Sequence, residues 1–85
     1  MCKIEFHIDE PSHVTVSVVD VMGKTVSTLL DGHKPEGDYN LDFNAEQLIP
    51  GRYYYKVYTK PDAKNGQARP HLLKTGQCEI KDKLD

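Results

Sequence analysis

Apolar residues recur at every second position along most of this chain. That period predicts β-strands rather than helices. Over Lys3–Ile8, Ile4, Phe6 and Ile8 share one face, with Lys3, Glu5 and His7 on the other. Cys2 has the apolar parity, and Asp9-Glu10-Pro11-Ser12 reads as a turn. Over His13–Val21 the inward set is Val14, Val16 and Val18, and Thr15, Ser17 and Val19 face out. Val21-Met22-Gly23-Lys24 predicts a tight hairpin with Gly23 at positive φ. The return strand is Thr25–Leu30, closed by Asp31-Gly32, with Val26 and Leu29 or Leu30 inward. Lys34–Asp38 reads as loop, and Tyr39, Leu41 and Phe43 form the next inward set.

Asn44–Leu48 is too short for a stable helix and reads as a connection. A long strand follows over Arg52–Thr59, then a polar loop over Lys60–Pro70 with its tip at Asn65-Gly66. The last strand lies within His71–Lys81, with Cys78 and Ile80 alternating with Gln77, Glu79 and Lys81. Gly76 is expected to mark a bulge, and Asp82–Asp85 a frayed tail. Short strands at regular spacing predict an all-β fold: an immunoglobulin-like antiparallel β-sandwich of about seven strands, filling residues 1–85 as one domain. A five-stranded barrel is the alternative.

The segment Leu48–Tyr58 carries four of the five tyrosines. Alternation divides them. Tyr53 and Tyr55 point to the core with Val57, whereas Tyr54, Lys56 and Tyr58 point outward. Tyr53 is placed for a tyrosine corner, its hydroxyl returning to backbone a few residues upstream. Leu48 is the expected core plug before it. Gly51 is expected where the chain turns and a Cβ would clash. The outward trio Tyr54, Lys56 and Tyr58 is a candidate binding surface, against the plainer reading that outer-face aromatics serve cross-strand pairing.

Composition narrows the function classes. The chain has 85 residues, 11 basic and 13 acidic, and a formal net charge of −2. Those charges are mixed along the sequence, which argues against a nucleic-acid partner. No apolar run approaches the roughly 20 residues of a membrane-spanning helix, and the first residues lack the apolar region of a signal peptide. Cys2 and Cys78 lack the spacing of a zinc or redox motif. They read as buried free thiols, with a disulfide joining the first strand to the last as the alternative.

His7 and His13, beside Asp9 and Glu10, are the only candidate metal group of mixed donors, and their positions are those of ordinary outward polar residues. Asp31, Glu36 and Asp38 share a loop but lack calcium-loop spacing. Cys78 has inward parity, and Ser12, Ser17 and Ser27 lack a nucleophile-elbow context. No cofactor, metal or catalytic residue is therefore assigned.

Two motifs carry a family resemblance. One is the hairpin Val18-x-Asp20-x-x-Gly23-Lys24-x-Val26-x-x-Leu29. The other is Leu48-x-x-Gly51-x-Tyr53-x-Tyr55-Lys56. Together they resemble the C-terminal sorting domain of type IX secretion cargo, and the similar immunoglobulin-like domain of the flagellar hook-capping protein. For the sorting domain, the resemblance implies a folded signal recognised by secretion translocon proteins and removed by a sortase. Gly23, Lys24, Gly51 and Tyr53 would shape the domain, and the strand near Cys78–Lys81 would bear on recognition. Two departures stand out: the family's Pro-Asn-Pro segment before the first strand is missing, and Lys60–Leu73 is longer than usual.

The sequence thus points to a non-catalytic accessory domain, a type IX sorting signal. A stand-alone structural or surface-binding module, for protein or carbohydrate, is the alternative. The expected location is the periplasm or cell surface if the chain belongs to a secreted precursor, and the cytoplasm if Met1 is the native start.

Overall fold

The computed structural model describes residues 2–43, 49–62 and 69–80. The expected 44–48 connection, the Leu48 plug, the Asn65-Gly66 tip, the 82–85 tail, and the side chains of Cys2, Glu79 and Ile80 lie outside the described residues. Six strands are present among them: β1 (Cys2–Ile8), β2 (Ser12–Val19), β3 (Thr25–Lys34), β4 (Gly37–Phe43), β5 (Gly51–Pro61) and β6 (His71–Ile80). They form two antiparallel sheets, β1-β4 and β3-β2-β5-β6. The architecture is a β-sandwich.

Its core follows from the alternation. Ile4, Phe6 and Ile8 of β1 and Phe43 of β4 meet Val14, Val16 and Val18 of β2, Tyr53, Tyr55 and Val57 of β5, and Cys78 of β6. Burying an aliphatic side chain contributes about 1.5–3 kcal/mol, so these facing rows are the main reason the sheets stay stacked. Phe6 and Tyr39 stack with ring centroids 5.4 Å apart.

β3 departs from the simple period. It runs through Asp31 and Gly32 to Lys34, so Asp31-Gly32 does not end it. Its register against β2 shifts twice, between Val16 and Ser17 and between Val18 and Val19. These bulges leave Leu29 and Val26 as extra residues. Consequently Leu29 and Leu30, adjacent in sequence, both pack against the core. A bulge bends a strand and re-aims its side chains, which period-two reading cannot anticipate.

The β2–β3 turn is built by one carboxylate. Asp20 Oδ1 accepts hydrogen bonds from the Met22 and Lys24 amides, each at 2.9 Å. The Gly23 amide donates to the Asp20 carbonyl at 3.0 Å, and the Asp20 amide to the Lys24 carbonyl at 2.9 Å. Gly23 has φ of 84°, a left-handed conformation that costs a residue with a Cβ. The arrangement is a turn followed by a left-handed glycine, and it explains the Asp-x-x-Gly-Lys spacing.

Two expectations about glycines are corrected. Gly76 is not a bulge: the β5–β6 register shift falls between Val57 and Tyr58, and Gly76 pairs with Tyr55. A Cβ there would lie 2.3–2.4 Å from the Tyr55 ring and hydroxyl. The glycine leaves the space that the tyrosine fills. At Gly51 the nearest atom to an added Cβ is the Ile49 carbonyl oxygen at 4.0 Å, an ordinary contact. Its φ is not positive, so the expected clash is not what places glycine there.

The cysteine reading is also corrected. Cys78 is 2% exposed and disulfide-bonded, not a free thiol. Topology supplies the setting, because β1 and β6 adjoin across the sandwich. Lys74 Nζ of β6 donates to the Glu5 carbonyl of β1 at 2.6 Å, tying the two sheets at that side.

Candidate functional site

Tyr53 and Tyr39 form matching devices at the starts of β5 and β4. The Tyr53 hydroxyl donates to the Ile49 carbonyl at 2.6 Å. The Tyr39 hydroxyl donates to the Pro35 carbonyl, also four residues upstream. Each tyrosine follows a glycine by two positions, Gly51 and Gly37. The second corner was missed at the sequence level, although the repeated Gly-x-Tyr spacing carried the signal. Tyr55 packs in the core beside Tyr53.

The outward trio sits on the opposite face of the same strand. Tyr54, Lys56 and Tyr58 are half-buried, between exposed Arg52 and exposed Lys60. β5 is an interior strand, flanked by β2 and β6. Tyr54 lies opposite Val19 on β2 and Gln77 on β6, Lys56 opposite Ser17 and Thr75, and Tyr58 opposite Thr15 and Leu72. Val19 faces outward yet is only 6% exposed, so Tyr54 also pairs with a covered β-branched neighbour.

The histidines gather at one end of the sandwich, where β1 and β3 end and β2, β4 and β6 begin. Their carboxylate partners divide His7 from His13. His7 lies between two carboxylates, with Nδ1 2.7 Å from Asp38 and Nε2 3.0 Å from Asp9. Both nitrogens donate together only in the imidazolium form. The His7 pKa is raised above its ordinary 6.5, chiefly by the Asp38 hydrogen bond, with the charges of Asp38 and Asp9 adding and desolvation opposing. Beside it, Glu5, Phe6, His7, Asp38, Tyr39 and Asn40 line a shallow hollow of about 400 Å³.

His13 pairs instead with Asp31 across β2 and β3, Nε2 to Oδ1 at 2.6 Å, and His33 with Asp62 at 3.0 Å. Asp31 and Asp38, candidates for a shared calcium loop, thus engage different histidines in different sheets. Among the described residues no three His, Cys, Asp or Glu side chains are placed to hold a metal ion. Thr15 bonds the Asp31 carboxylate at 3.5 Å rather than the imidazole, which is not the nucleophile–base–orienter order of covalent catalysis. The Ser12 hydroxyl is committed to the Glu10 carbonyl at 2.9 Å. No helix among the described residues is long and apolar enough to cross a membrane.

The two antiparallel sheets, the Asp20-x-x-Gly23-Lys24 turn and the Tyr53 corner define one class of protein, a small antiparallel β-sandwich. The family model described as Secretion system C-terminal sorting domain matches residues 1–67, and the chain belongs to this type IX sorting-domain family. The match spans β1 to β5, and β6 lies beyond it. No curated protein and no solved structure matches the chain.

Proposed function

We propose that this chain is a non-catalytic C-terminal sorting signal, a folded handle by which type IX secretion translocon proteins export an attached passenger. Family membership over residues 1–67 carries the reading. In it, Gly23 and Lys24 set the β2–β3 hairpin, while Gly51, Tyr53 and Tyr55 set the entry of β5 and its core face. The signal is then a shape rather than a linear peptide.

The disulfide at Cys78 supports a location outside the cytoplasm, because such bonds persist mainly in oxidising compartments. The domain would thus reach the periplasm and act at the cell surface. The test is a reporter carrying a signal peptide and this chain at its C-terminus, expressed in a type IX-competent host. Export to the surface or medium is expected, and retention in the periplasm overturns the reading.

A further inference from the structure

The outer face of β5 carries a row with a strict pattern: Arg52, Tyr54, Lys56, Tyr58, Lys60. Cation and aromatic alternate over nine residues, about 27 Å of strand, with the two tyrosines about 14 Å apart. Among the described residues, no ion pair engages Arg52, Lys56 or Lys60; every such pair there belongs to a histidine. The outward residues opposite the row on β2 are Val19, Ser17, Thr15 and His13. On β6 they include Gln77, Thr75 and Leu72, and the backbone of Arg52 is in register with that of Glu79, whose side chain lies outside the described residues. Toward the Lys60 end the Asp31 carboxylate of β3 lies on the same face, already engaged by His13 and Thr15. The other sheet differs in sign: its outward positions are Lys3, Glu5, His7, Asp38, Asn40 and Asp42.

We propose that this row binds an extended acidic polysaccharide, lying along β5 with sugar faces on Tyr54 and Tyr58 and carboxylates at Lys56, Lys60 and Arg52. Three observations select that occupant. The free charges are cationic, so the ligand is anionic. The cations are about 14 Å apart, far sparser than the one charge per 3.4 Å of a nucleic-acid strand, so the ligand is a polymer of low charge density. Finally, β5 is interior, its backbone hydrogen bonds being taken by β2 and β6. A peptide could not add to it as a strand. Recognition is left to side chains, which suits a ligand met by aromatic faces and cations. The reading goes beyond export and does not depend on it.

Affinity electrophoresis of the purified chain in gels containing polygalacturonate, neutral dextran or no polymer tests the proposal, with a single-stranded oligonucleotide as competitor. Polygalacturonate is expected to retard the chain, less so as salt rises, and dextran is not. Tyr58→Ala should weaken binding about tenfold, the scale of one aromatic anchor. The double variant Lys56→Gln with Lys60→Gln, which leaves the core untouched, should abolish retardation. Unchanged retardation of that double variant, equal retardation by dextran, or preference for the oligonucleotide each overturns the proposal. Loss of binding with export intact leaves the sorting reading standing, and the reverse result leaves this one.

Discussion

Gly76→Ala is a small substitution with a large expected effect. The added methyl would sit 2.3–2.4 Å from three atoms at the end of the Tyr55 side chain, against a normal carbon–carbon contact of about 3.5–4.0 Å. More than 1 Å must be found. Tyr55 is only 8% exposed and packs with Val18, Tyr53 and Val57, so its ring cannot swing away without disturbing the core. Overpacking of this kind costs about 1–3 kcal/mol. Relief of the glycine's backbone entropy returns about 0.5–1 kcal/mol, leaving a net loss of up to about 2.5 kcal/mol, centred near 1.

For a domain of this size each kcal/mol moves Tm by about 4–8 °C. Calorimetry or urea unfolding should therefore show a clear drop. The decisive arm is the double-mutant cycle. With Tyr55→Leu in place the space opens, and Gly76→Ala should become neutral or stabilising by about 0.5 kcal/mol. Alanine tolerated equally in both backgrounds would refute the claim that glycine is there to seat the tyrosine.

Three further outcomes are expected. Tyr53→Phe removes the 2.6 Å bond to the Ile49 carbonyl and should cost about 1 kcal/mol by urea unfolding; an unchanged midpoint would remove the corner's energetic role. His7 has a higher pKa folded than unfolded, so its stabilising contribution is full below about pH 6 and is lost as pH rises through the raised folded value. The Tm advantage of the native chain over His7→Gln should therefore shrink from about pH 5.5 to 8.5, and an advantage that grows with pH would contradict the geometry. Reduction of the disulfide at Cys78 should lower stability by about 2–4 kcal/mol, followed by calorimetry with and without reductant, while non-reducing peptide mapping identifies the bonded partner.

Much of the fold was legible because burial on one face forces period-two alternation. Ile4, Phe6 and Ile8, the three inward valines of β2, and the division of Tyr53 and Tyr55 from Tyr54 and Tyr58 followed from that alone. Gly23 was legible because a positive φ has few tenants. What escaped depends on pairing across strands. The bulges that bury both Leu29 and Leu30 break the period. The need for Gly76 exists only once Tyr55 lies opposite it. Apart from His7–Asp9, the His–Asp partnerships join residues 18 to 31 positions apart, and no local pattern announces them. Cysteine oxidation likewise required the adjacency of β1 and β6. The cationic ends of the β5 row were within reach, since Arg52 and Lys60 share the parity of Tyr54, but its freedom from ion pairs among the described residues is a property of the folded face.

The central claim is that the folded chain directs export. Its most direct measurement is the fraction of a signal-peptide-bearing reporter that reaches the surface or medium of a type IX-competent host, with and without this chain at its C-terminus. The account predicts export only when the chain is attached, with the chain removed from the exported reporter. Equal periplasmic retention of both reporters would contradict it.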